Sequence, residues 1–254
     1  MKPGSNFDNF VKLVEQIRIN CPWDRKQTHH TIKDHLIEEA YEVIDAIDRE
    51  NPEDLKNELG DLLLHVVFHS QIASEKPAFS IENVIGAVSE KLVRRHPHVF
   101  AGVKATEKQV AGNWEAVKLE EGKKSTLDGL PPRLPALIRA RRMQEKAGNV
   151  GFDWPDWEQA WTKLNEELEE WKEAIHNQDH NARMDEFGDL LFSLVNVGRL
   201  LELNAEDSLR KTNRKFENRF RFIEKQLQKK KRSVTDATIE EMDSLWEEAK
   251  ERES

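Results

Sequence analysis

Residues 36–67 read LIEEAYEVIDAIDRENPEDLKNELGDLLLHVV. Apolar side chains recur at spacings of three and four, as in Leu55, Leu59, Leu62 and Val66, with charges between them. That is the period of a helix buried along one face. Glu50-Asn51-Pro52 breaks the pattern, because proline removes a backbone donor and suits a helix start, so the stretch predicts two antiparallel helices joined by a tight turn. Glu39 and Glu42 then share one helix face, as do Glu58 and Asp61. Both Glu42/Glu58 and Glu39/Asp61 are centred on residue 50, so the turn brings all four carboxylates to one level.

The same period continues outward in both directions. It predicts helices near 6–19, 29–50, 53–75, 80–95, 106–121, 134–147, 156–177, 180–203, 205–231 and 237–252. Alternating strand patterns are missing and the chain has one tyrosine, so the expected class is all-α. Gly122, Gly129, Pro131, Pro132 and Pro135 break helices between the halves, which predicts domains at 1–122 and 136–254 with a connection at 123–135.

At an offset of 128 residues, Leu36–Val67 matches Leu164–Val195 at 12 of 32 positions without gaps. Composition alone gives about two. The shared residues include Glu38/Glu166, Glu39/Glu167, Glu42/Glu170, Glu58/Glu186, Gly60/Gly188 and Asp61/Asp189. The fold expectation is therefore two tandem helical-hairpin repeats of four-helix-bundle type, since a hairpin needs further helices to close a core. Glycine inside a helix costs about 1 kcal/mol relative to alanine. Close helix approach at Gly60 and Gly188 would account for it.

Crowded acids raise one another's pKa unless a cation sits among them. Oxygen-only ligation suits Mg²⁺, which keeps waters and completes its shell with substrate phosphates. A solvated acidic face is the competing reading. Cys21 is the only cysteine, which excludes an internal disulfide and a multi-cysteine metal cage. A formal charge of −9 argues against nucleic-acid or membrane binding, and no apolar run approaches the length of a span. The opening MKPGSNF has no signal-peptide stretch, so the expected location is the cytosol.

His65 and His69, four apart, read more readily as packing or exposure than as ligands, because the repeat has Ser193 and Val197 there. A single Glu173-x-x-His176 disfavours a di-iron bundle, which needs the motif twice. Trp154, Trp157 and Trp161 have the spacing of a core stripe, with nucleobase stacking the minor reading. Lys211, Arg214, Lys215 and Arg219 form a cationic strip that suits either phosphate binding or a solvated face. A site of four carboxylates and one Mg²⁺ repels a triphosphate, which favours phosphate binding by the strip. In the first repeat, Pro97 interrupts the comparable Arg94-Arg95-His96-Pro97-His98, so its cations line up less well.

With CPWDRKQTH at 21–29, EEAYEVIDAI at 38–47, ELGDLLLHVVFH at 58–69, RRHPHVF at 94–100, LPALIRA at 134–140, VGFDW at 150–154 and TNRKFENRF at 212–220, the chain resembles the MazG nucleoside triphosphate pyrophosphohydrolases over nearly its whole length. The resemblance implies Mg²⁺-dependent cleavage of nucleoside triphosphates to monophosphate and pyrophosphate, in nucleotide-pool housekeeping and with broad base preference. It implies Mg²⁺ on Glu167, Glu170, Glu186 and Asp189, and on Glu39, Glu42, Glu58 and Asp61, with Glu166 and Glu38 orienting or deprotonating water. It also implies a homodimer. The second repeat is expected to carry the main activity. A helical interaction or regulatory protein with acidic faces is the contrasting class.

Overall fold

The computed structural model describes residues 6–76, 78–102, 125–177 and 179–252. The chain is all-α, with no strand among the described residues, and forms two compact units, 1–104 and 105–254. The helix expected at 106–121 lies outside the described residues.

The first unit contains α1 (Phe7–Asn20), α2 (His29–Asp48), α3 (Pro52–Ser74), α4 (Ile81–Arg95) and the short α5 (Pro97–Phe100). The α2–α3 turn falls where the carboxylate symmetry places it. Glu50 adopts a positive φ of 52°, and the Asn51 side chain accepts from the backbone N–H groups of Glu53 and Asp54. Pro52 needs no donor at the first helical position. One core closes the unit: Val14 of α1, Ile32 of α2, Val67 and Phe68 of α3, and Ile81 of α4 pack together. α4 ends at Arg95, and Pro97 opens α5, as its missing donor requires.

Buried Arg18 fixes the segment that leads into α2. Its guanidinium donates to the Gln27 carbonyl at 2.9 Å, to the Asp24 carbonyl, and to Glu75 Oε2 at 2.9 Å. The carbonyls of Asp24 and Gln27, at the two ends of the Asp24–Lys26 turn and its cap, are thereby tied to the end of α3.

The second unit contains α6 (Ala136–Gly148), α7 (Trp157–His176), α8 (His180–Leu200), α9 (Ala205–Lys229) and α10 (Ile239–Glu251). Asp179 caps α8 by accepting from Asn181 and Ala182. Ala160 and Leu164 of α7 pack on Val197 of α8, and Ile223 and Leu227 of α9 pack on Leu245 of α10. α9 runs unbroken through the cationic strip. Residues 125–135, expected as a connection, pack in the second unit: the Thr126 carbonyl accepts from buried Lys146 Nζ at 2.7 Å.

Two expectations change. A Cβ built on Gly60 or Gly188 meets nothing within 4 Å, so no described helix approaches either glycine closely. Trp154, Trp157 and Trp161 are not core residues, since each is more than a third exposed. Trp157 and Trp161 share one face of α7 and that face is open, while Trp154 lies before the helix begins.

Candidate functional site

In the second unit, ligand oxygens of Glu167, Glu170 and Glu186 lie within 4.8 Å of one another; in the first, those of Glu39, Glu58 and Asp61 do. Each hairpin thus brings acids from both of its helices together, as the sequence symmetry requires. Glu42 adjoins the first trio through its charge and a side-chain hydrogen bond with Glu39 and Glu58. Asp189 stands outside the second trio.

Charge crowding is visible in the titration of both trios. Burial, then the charges of Glu42 and Asp61, pushes the Glu39 carboxyl above the usual carboxylate range. Desolvation, Glu42 and Asp61 do the same to Glu58. Glu170 is raised by desolvation and by Glu167, Glu166 and Glu186, with Lys163 opposing. These carboxylates therefore carry an unfavourable interaction that a bound cation would relieve. An oxygen-only donor set fits a hard divalent ion.

Lys163, which sequence reasoning passed over, is the second trio's internal cation. Its Nζ lies 2.9 Å from Glu166 Oε1 and 2.9 Å from Glu167 Oε1, and the Glu167 side chain is only 9% exposed. Bonds to Glu167 and Glu166 raise the lysine pKa further. In repeat register the first unit has His35, whose Nδ1 lies 2.9 Å from Glu38 Oε2. The signal was available: 163 is 35 plus the 128-residue offset, one turn before the acids in both copies.

The remaining candidates fall around the trios. Lys211 and Lys215 are exposed on α9, while Arg214 and Arg219 are half-buried. Arg219 lies over the Trp246 ring of α10 at 5.4 Å from its centroid, and Phe216 meets the same ring at 5.2 Å. Each unit has a cavity beside its hairpin. One of about 420 Å³ is lined by Gln144, Phe152, Trp154, Phe192 and Asn196. The other, about 270 Å³, is lined by Trp23, Ile32, His35, Leu64 and Phe68, and reaches Glu39. Trp154, expected in the core, instead forms a cavity wall.

His65 and His69 are half-buried. His65 Nε2 lies 3.9 Å from Glu39 Oε1, and His69 Nδ1 lies 2.8 Å from Nδ1 of His29. His176 Nδ1 instead meets the Lys172 carbonyl at 2.7 Å.

The MazG nucleotide pyrophosphohydrolase domain matches this chain twice, over residues 27–100 and 157–222. Each match encloses one acidic trio, and the second also covers the cationic strip. A nucleoside triphosphate pyrophosphohydrolase/pyrophosphatase MazG of Thermotoga maritima is 48% identical over 252 residues, covering 97% of this chain and 96% of the relative. A nucleoside triphosphate pyrophosphohydrolase of Escherichia coli (strain K12) is 40% identical over 262 residues, covering 98% of both chains. The uncharacterized protein YabN of Bacillus subtilis is 44% identical over 97% of this chain, which corresponds to 52% of YabN.

Proposed function

The chain belongs to the MazG nucleotide pyrophosphohydrolase family, a family of hydrolases acting on phosphorus anhydrides, and from that premise we propose that it cleaves nucleoside triphosphates to monophosphate and pyrophosphate with Mg²⁺. The observation that carries the metal reading is the acid trio repeated in both units, with carboxyls held above their usual range by burial and by one another.

Glu167, Glu170 and Glu186 would hold the ion, with Asp189 swinging in from the next turn of α8, and Glu39, Glu58, Asp61 and Glu42 form the matching set in the first unit. Bound there, Mg²⁺ would supply positive charge against the phosphates and would make water more acidic. Glu166, more than half exposed beside the trio, accepts the proton of the attacking water, and Glu38 has the same place in the first repeat. Lys163 holds Glu166 and Glu167 in position until a divalent ion takes Glu167 from it, and keeps its hold on Glu166 thereafter. Lys215 and Arg219 bind phosphate oxygens and balance the charge of the leaving pyrophosphate, joined by Lys211 and Arg214 along α9.

The second unit carries the main activity in this reading. Its α9 strip is continuous and its trio has a lysine at hand, whereas the first unit's α4 stops at Arg95 and offers His35. Broad base preference and a housekeeping role in the cytosol complete the proposal. No described helix is long and apolar enough to cross a membrane.

A homodimer is part of the same proposal. Met184, Phe187, Leu191 and Leu194 form an exposed stripe around Gly188, and Leu59, Leu63 and Val66 do so around Gly60. Open space over each glycine admits a helix of a second copy, which supplies the close approach that the single chain does not.

The direct test is incubation with Mg²⁺ and each of the common ribo- and deoxyribonucleoside triphosphates, followed by product identification. Monophosphate plus pyrophosphate supports the reading. Diphosphate plus orthophosphate would assign another phosphohydrolase, and no turnover at all would favour an interaction protein.

A further inference from the structure

We propose that the first unit holds an imidazole metal site, separate from the acid trio, in which His65 Nδ1 and His69 Nε2 ligate a borderline divalent cation of the Zn²⁺ class. These two ring nitrogens are buried and, among the described residues, have no hydrogen-bond partner. A buried polar atom without a partner is costly, and native structures rarely leave one without a role.

The other nitrogen of His69 is hydrogen-bonded in the way that metal-binding histidines require, and that of His65 faces a carboxylate. A ligating imidazole donates its second N–H to a carboxylate, carbonyl or other acceptor, which fixes the tautomer and aims the lone pair. His69 Nδ1 lies 2.8 Å from His29 Nδ1, so His69 can donate there and present a bare Nε2. His65 Nε2 faces Glu39 Oε1 at 3.9 Å, longer than a hydrogen bond, and the carboxylate charge there favours a proton on Nε2 over one on Nδ1. His65 and His69 are one turn apart on α3, with ring centroids at 6.3 Å. Two imidazoles on one Zn²⁺, with Zn–N bonds of about 2.0–2.1 Å, have ring centres roughly 5–6 Å apart, so a small side-chain movement completes the pair.

The fold itself does not call for these rings. In repeat register the second unit has Trp157, Ser193 and Val197 where the first has His29, His65 and His69, and it builds the same hairpin. The imidazoles therefore distinguish the first unit chemically. Neutral nitrogen donors select Zn²⁺, Ni²⁺ or Cu²⁺ over Mg²⁺. The remaining coordination positions go to water, entering through the 270 Å³ cavity that His65 lines. This inference is independent of the hydrolysis proposal, because it concerns binding alone.

The test is calorimetric titration of the full chain with Zn²⁺ in saturating Mg²⁺, which keeps the acid trios filled. One Zn²⁺ per chain is expected, weakened about tenfold or more in His65→Gln and in His69→Gln, and severalfold in His29→Gln, which removes only the acceptor behind His69. Glu58→Gln should leave it unchanged. Ring ¹⁵N spectra of the wild-type protein need no variant, and Zn²⁺ should move His65 Nδ1 and His69 Nε2 selectively. No Zn²⁺ uptake, equal loss in Glu58→Gln, or ring shifts at other histidines would overturn the proposal.

Discussion

Lys163 Nζ sits 2.9 Å from both Glu166 and Glu167, inside the carboxylate group that is read here as a metal site. A lysine in that place satisfies the acids while no divalent ion is present and competes with one for Glu167. Lys163→Met should therefore bind Mn²⁺ more tightly than the wild type when nucleotide is absent. It should also lower turnover, because Glu166 loses the partner that holds it. Calorimetry with Mn²⁺ alone, beside pyrophosphate release, separates the two effects. Equal Mn²⁺ affinity would mean that the lysine does not occupy the metal's place.

Crowding in the first trio predicts a stability effect of definite sign. Glu39 and Glu58 titrate above their unfolded values, so their contribution is most favourable below the unfolded pKa and is lost as pH rises through the raised one. At neutral pH the metal-free protein is therefore strained there, and Glu58→Gln should raise its melting temperature. Addition of Mg²⁺ should raise the wild-type melting temperature more than that of the variant. A fall in melting temperature for metal-free Glu58→Gln would contradict the crowding argument.

The Arg18–Glu75 clamp behaves in the opposite way. Glu75 is lowered, first by its hydrogen bond from Arg18, so the pair stabilises above the unfolded carboxylate pKa and the contribution is lost as pH falls through the lower folded value. Arg18→Ala also takes the guanidinium away from the Asp24 and Gln27 carbonyls and should cost about 2–3 kcal/mol at pH 7. Denaturant titration at pH 7 and pH 3 tests both points: a smaller difference between wild type and variant at pH 3 is expected, and an unchanged one counts against the clamp.

Gly188 tests the proposed assembly. With open space above it in the single chain, Gly188→Ala would add about 1 kcal/mol of helix propensity to an isolated protomer. A larger side chain placed where a second copy approaches should instead drive subunits apart. Light scattering should report roughly twice the 29.6 kDa chain mass for the wild type and a shift toward monomer for Gly188→Leu. Wild-type mass equal to one chain, or a Gly188→Leu dimer of unaltered affinity, would remove this face from the interface.

The sequence made the fold legible because helices keep their period whatever they pack against. Helix ends were set locally by Asn51-Pro52, Asp179 and Pro97. The acid trios followed from the same arithmetic, since a hairpin's two-fold numbering places residues that are equidistant from its turn. Burial was less legible. Trp157 and Trp161 have the period of a covered stripe, but periodicity does not say whether the cover comes from the same chain. Asp189 illustrates a different limit: spacing puts it one turn from Glu186 on α8, but spacing does not set its rotamer, and its carboxylate stands outside the trio. Lys163 was missed because a lysine one turn before a glutamate reads as an ordinary surface pair until the burial of Glu167 is known.

Phosphorus NMR of ATP with the protein and Mg²⁺ tests the central claim most directly, run in parallel on the wild type, Glu170→Ala, Glu42→Ala and Lys215→Ala. The account predicts AMP and pyrophosphate from the wild type. It predicts nearly complete loss in folded Glu170→Ala, weakened turnover with Mg²⁺ binding retained in Lys215→Ala, and a much smaller loss in Glu42→Ala. ADP and orthophosphate from the wild type, or wild-type rates in folded Glu170→Ala, would contradict it.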